Sequence, residues 1–217
     1  MSSDLPTPPR TGGDPAAFSA AVASMDSAVP RPGIELADIR PPKKLAPFSH
    51  AVGLGVVRDL PGSGAGAGAA AGAEAPAGEG DAFGRLILLH DPAWDEGPGL
   101  MRVVSFLQAD MDAATVSDPL LPQVAWEWLT DGLDGRLTGD TPAVDYRDLR
   151  GTVTATTSVR HGDIGGPPLA YQLELRASWT ATDTDLASHV RAFAEVLAMV
   201  ADLPPTGVAA LPRRGGH

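Results

Sequence analysis

Residues 151–180 read "GTVTATTSVRHGDIGGPPLAYQLELRASWT", and this stretch decides the fold. Val153, Ala155, Thr157 and Val159 alternate with Thr152, Thr154, Thr156 and Ser158. Tyr171, Leu173, Leu175, Ala177 and Trp179 alternate with Gln172, Glu174, Arg176 and Ser178. A strand sends successive side chains to opposite faces, so each run predicts a strand with one buried and one polar side. Between them "HGDIGGPP" offers Gly for positive φ, Asp for a side-chain turn and Pro for a fixed φ. The expectation is an antiparallel hairpin whose face of Thr, Gln, Glu and Arg is solvated or docks a partner.

Periodic segments flank this hairpin. Downstream, "DTDLASHVRAFAEVLAMVADLP" places Leu186, Val190, Phe193, Leu197 and Val200 on one helical face, with Pro204 as the stop. Upstream, "SDPLLPQVAWEWLTDGLDG" predicts a helix capped by Ser117 or Asp118, with Pro119 in its first turn. Leu121, Val124, Ala125 and Trp128 form its stripe, Gly132 or Gly135 ends it, and Trp126 points elsewhere. Three strands are expected earlier: "HAVGLGVV", the apolar run "GRLILLHD", and "MRVVSFLQADMD". A first helix over 14–29 starts at Asp14 and Pro15, with Phe18, Val22, Met25 and Val29 on one face. The order α-β-β-β-α-β-β-α predicts an α+β domain: an antiparallel sheet of about five strands with helices on one face. As an order of elements, it resembles the small bacterial chaperones that serve secretion systems.

The chain of 217 residues, 43% hydrophobic, suits one domain over 14–206 with its own core. Residues 1–13 and 207–217 are expected to be loose tails. Residues 62–82, "GSGAGAGAAAGAEAPAGEGDA", have nothing bulky to bury and are expected to form a flexible insertion. There is no cysteine, hence no disulfide framework, thiol nucleophile or cysteine zinc site. No signal peptide or membrane-length apolar run is read, so a soluble, cytoplasmic protein is expected. A net charge of -11 argues against general nucleic-acid binding. The basic knot Arg40, Lys43 and Lys44 reads as a solvated loop.

No phosphate loop, dinucleotide fingerprint, HExxH or GxSxG is found, and no cofactor is expected. The candidates for chemistry are local. In the hairpin turn, Arg160, His161 and Asp163 pair an acid–base couple with an anion clamp. Ser158 and Arg160 point to one side of the strand and His161 to the other, so the turn alone is no triad. "HDPAWDE" sets His90, Asp91 and Asp95 after a buried strand, where the ordinary reading is a turn with Asp91 bonding its own backbone. Asp110 and Asp112, two apart, are the candidate metal carboxylates. His189 reads as a structural histidine beside the last helix's apolar face. Trp126 is the candidate partner contact.

The strings "GTVTATTSVRHGDIGGPP", "QLELRASWT", "DTDLASHVRAFAEVL", "LILLHDP" and "DPLLPQVAWEWL" resemble an actinobacterial family catalogued as domain of unknown function 3000. The resemblance covers about 14–206 apart from the insertion, and it implies a single cytoplasmic domain with no activity, cofactor or catalytic residue to carry over. The leading expectation is a non-enzymatic binding or adaptor module acting through the polar sheet face and exposed aromatics. The alternative is an enzyme using carboxylates and histidines at strand ends. A self-associating structural dimer is a third reading.

Overall fold

A computed structural model describes residues 15–42, 44–57, 82–94, 101–139 and 141–206. The sheet has six strands where five were expected. They are β1 (Ile34–Asp38), β2 (Phe48–Val56), β3 (Ala82–His90), β4 (Met101–Asp110), β5 (Tyr146–Val159) and β6 (Leu169–Ala181), in the spatial order β1-β2-β3-β4-β6-β5. Every pairing is antiparallel. The hairpin pairs Val153 with Leu175 and Ser158 with Ala170, as its alternation requires. The added strand β1 is an edge strand of five residues, only one of them buried, which leaves almost no apolar period to read.

Three helices, α1 (Pro15–Asp26), α3 (Leu121–Leu133) and α4 (Leu186–Val200), cover one face. A four-residue helix, α2 (Ala113–Val116), follows β4. Trp179, Phe193, Leu86, Leu107 and Leu175 are fully buried in the layer between sheet and helices. At about 2 kcal/mol for each large apolar side chain removed from water, this layer dominates the stabilising terms. α4 is the central helix, and Phe193 lies directly beneath Gly84 of β3. The Ser24 hydroxyl of α1 accepts the Ala187 N–H (3.0 Å) and donates to Asp185 (3.2 Å), so α1 helps cap α4. Arg31, just beyond α1, forms a buried ion pair with Glu195 of α4 (3.2 Å) and donates to the Pro204 carbonyl.

Several boundaries differ from expectation. α1 stops at Asp26, so Val29 lies outside it and is 78% exposed. The Ser117 and Asp118 region belongs to the turn before α3: Asp118 accepts the Leu120 N–H, the N-cap is Leu120, and Pro122 rather than Pro119 occupies the first turn. The buried stripe of α3 is Leu121, Ala125, Leu129 and Leu133, so Val124 and Trp128 sit at its flanks. Gly135, at φ +68, provides the left-handed residue that closes α3. The expected tails, the helix cap Asp14, Lys43 and residues 62–81 of the insertion lie outside the described residues, whereas Ala82 opens β3.

Candidate functional site

The β5–β6 hairpin ends in a cleft of about 730 Å³, lined by Asp110, Asp112, Arg160, Tyr171 and Gln172 together with Met111 and Leu169. Both carboxylates of the "QADMD" string therefore line one cleft with the arginine of the turn. Each already has a partner of its own. Asp112 caps α2, taking the N–H groups of Ala114 (2.8 Å) and Thr115 (2.9 Å) and the Thr115 hydroxyl (2.6 Å). The Thr115 hydroxyl is the main reason its carboxyl is held below the usual range. Asp110 accepts from Gln172 (3.0 Å). Arg160 donates through Nη1 to the Pro167 carbonyl (2.8 Å), and its backbone N–H bonds Pro168. Gly166, at φ +94, lies against this guanidinium, and a Cβ there would collide with it.

The other candidates lie elsewhere. His161 and Asp163 are exposed, and neither makes a side-chain hydrogen bond or ion pair with another described residue. His90 is at the far end of β3, whose first residue pairs with Ala109, so it stands roughly 30 Å along the strand from Asp110. It is buried between the rings of Phe18 and Phe48. Asp91 accepts the Ala93 N–H (2.8 Å) and forms the expected turn, while Asp95 lies outside the described residues. No group of three or more His, Cys, Asp or Glu side chains among the described residues is placed to hold a metal.

His189 is buried rather than beside the core. Trp179 Nε1 donates to its Nδ1 (3.1 Å), so the ring proton sits on Nε2. Burial pushes its pKa down to about 4, against the opposing pull of Asp183, Asp185 and Asp145. Tyr146 donates to Asp134 (2.8 Å), and burial pushes its phenol up to about 12. Trp126 is half-buried against the core, and its ring passes within 2.8 Å of where a Gly151 Cβ would stand. Any side chain at 151 would displace α3 from β5.

The aromatics that are not sealed by helices lie on the opposite sheet face. Among the described residues, α1, α3 and α4 all pack on the other side. Phe83 of β3 and Phe106 of β4 meet at 5.8 Å between ring centroids. Arg85 sits over Phe83 (5.5 Å), Arg176 over Phe106 (5.3 Å) and Arg102 over Trp94 (5.9 Å). The hairpin register extends this row: Thr152 pairs with Arg176, which pairs with Phe106, which pairs with Arg85. Beside it Arg150, Ser178, Val104 and Ile87 form the next row. Arg147 and Arg150 are three apart, yet they pair with Thr180 and Ser178, which share a face. The intervening bulge, with Asp148 at φ +56, supplies the extra residue that keeps Arg150 on this face.

Arg102, Arg150 and Arg176 surround a shallow depression of about 490 Å³ over Val104, Thr152 and Ser178. Arg176 is paired with Glu174 of the same strand (2.8 Å). Arg85 and Arg150 form no ion pair with any described carboxylate. The sequence held a signal for this face: Phe83 and Arg85, then Arg102, Val104 and Phe106, then Glu174 and Arg176 recur at period 2 on strands that pair.

A family model described as protein of unknown function (DUF3000) matches residues 14–209. No curated protein and no solved structure matches the chain. Among the described residues, no helix is long and apolar enough to cross a membrane. The chain belongs to the DUF3000 family.

Proposed function

We propose that this DUF3000 protein is a non-enzymatic binding or adaptor module that acts, in the cytoplasm, through the helix-free face of its sheet. The observation that carries the reading is the Arg85–Phe83–Phe106–Arg176 array, four side chains from three strands stacked on one another with no described helix over them. Arginine and aromatic residues are the types enriched where proteins dock, because both bury large area and retain specific polar geometry. The enzymatic alternative draws on the hairpin cleft, where Asp110, Asp112 and Arg160 converge. Those groups already serve a helix cap, a glutamine and a turn carbonyl, which supports a structural role for them.

The experiment is affinity capture from native lysate with the full chain and with a Phe83→Ser, Phe106→Ser variant. Proteins retained by the wild type and lost by a variant that still unfolds cooperatively support the reading. Identical capture by both chains, or none by either, removes it.

A further inference from the structure

The depression ringed by Arg102, Arg150 and Arg176 indicates the chemistry of the partner. We propose that this face binds an acidic polypeptide segment, with a carboxylate side chain in the arginine depression and an apolar or aromatic side chain on Phe106 and Phe83. This deepens the reading of the sheet face as a docking surface and rests on it.

Charge complementarity is local and runs against the rest of the chain. The protein carries 27 acidic residues against 16 basic ones, yet five arginines, Arg85, Arg102, Arg147, Arg150 and Arg176, gather on this face from β3, β4, β5 and β6. Guanidinium groups present fixed pairs of N–H donors that match a carboxylate. The Ser178 and Thr152 hydroxyls at the depression add neutral donors. Phe106 lies one strand over and two residues along from Ser178, a separation of roughly 7–8 Å. An extended peptide advances about 6.8 Å in two residues, so an acidic residue two positions from an aromatic one spans both subsites.

A short acidic segment suits the site better than a nucleic acid. Screening confines its interaction to the arginines within about 8 Å. A polyanion with one charge per nucleotide would also meet Glu174 and Asp110 on the same face and the field of a chain with net charge -11.

The test is fluorescence anisotropy of the full chain with three labelled probes: a peptide repeating Glu-Ser-Phe-Ser, its Gln-Ser-Phe-Ser counterpart, and an oligouridylate. The expected result is saturable binding of the Glu peptide that weakens with salt, and little binding of the other two. Arg150→Ser and Arg176→Ser should each weaken binding by about tenfold. Both side chains are exposed, so these variants keep the wild-type unfolding transition. Lysine at either position should recover part of the loss. Equal binding of the Glu and Gln peptides, or preference for oligouridylate, overturns the acidic partner but leaves a docking face in place. No binding of any probe, or binding indifferent to both arginines, also overturns it, and the capture experiment then decides the docking face independently.

Discussion

The two faces of the sheet share strands and register but differ in chemistry. Toward the helices, β3, β4 and β6 present Leu86, Leu88, Val103, Leu107, Leu173, Leu175 and Trp179, all buried. Away from them, the same strands present Phe83, Arg85, Ile87, Arg102, Val104, Phe106, Glu174 and Arg176. The first face is closed by α4 and its neighbours. The second is only partly shielded, by its own residues stacking side by side. A one-residue slip of register would exchange them, placing guanidiniums under α4, so the buried face fixes the position of the other. The open face is thus set by the core without contributing much to it.

Truncation on each face gives the strongest test of that division. Trp179→Ala removes a fully buried ring and the hydrogen bond to His189, and is expected to cost about 3–5 kcal/mol in urea unfolding. Phe106→Ala removes a half-buried ring on the open face and is expected to cost about 1–2 kcal/mol. Equal losses would mean that the open face is as much core as the other.

A buried charge on the helix side sharpens the contrast with the exposed arginines. The Arg31 and Glu195 side chains are 8% and 10% exposed. Arg31→Met leaves Glu195 without its cation and is expected to cost about 3 kcal/mol, whereas Arg31→Met with Glu195→Leu recovers most of it. Arg150→Ser, on the open face, is expected to stay within about 0.5 kcal/mol of wild type. A double variant no better than the single one would show that Arg31 acts through its bond to the Pro204 carbonyl instead.

Acid should weaken the helix-covered side first. The folded chain holds His189 neutral down to about pH 4, while in the unfolded chain it protonates near pH 6.5. The unfolded state therefore binds more protons in that interval, so stability present above pH 6.5 is lost as pH falls toward 4, by about 3 kcal/mol in full. His189→Gln keeps an acceptor for Trp179 Nε1 and removes the titration. The difference in unfolding free energy between wild type and this variant should shrink or change sign from pH 7 to pH 4.5. A constant difference would show that the imidazole does not carry this step.

The helix-covered face was legible in sequence because its signal is repetition. Alternation over 152–159 and 171–179 gave the hairpin, and the 186–200 stripe gave α4. β1 and α2 were not legible, since five and four residues with one buried side chain or none hold too little pattern. The open face was legible only in part. Glu174 and Arg176 were read as its polar side, but "GRLILLHD" reads as an apolar run buried on both sides. Its Arg85–Ile87 half, with Phe83 just before the run, gains meaning only once β3 is paired with β4. The two tryptophans of α3 suggested an exposed ring, and the chain instead spends Trp126 against the bare backbone of Gly151. Side-chain periodicity reports which residues share a face. It does not report which face a neighbouring element will cover.

The hairpin itself carries the same division along its length, and supplies the smallest effect. Its base is gripped by the core through Val153, Leu173, Leu175 and Trp179, while residues 156–172 include no buried side chain. At the base of that tip Gln172 donates to Asp110 (3.0 Å), and beyond it Arg160 ties down the turn, through its bond to the Pro167 carbonyl (2.8 Å) and its contact with Gly166. Arg160→Ala is expected to speed amide exchange around Val159 and Leu169, with a local cost of about 1 kcal/mol and little change in global unfolding. His161→Ala and Asp163→Ala, whose exposed side chains bond no other described residue, are expected to stay within about 0.5 kcal/mol in both measurements. A larger response to either would mean that the turn holds its own contacts. The expected ranking instead makes Arg160 the staple of a turn and leaves His161 and Asp163 as its solvated surface.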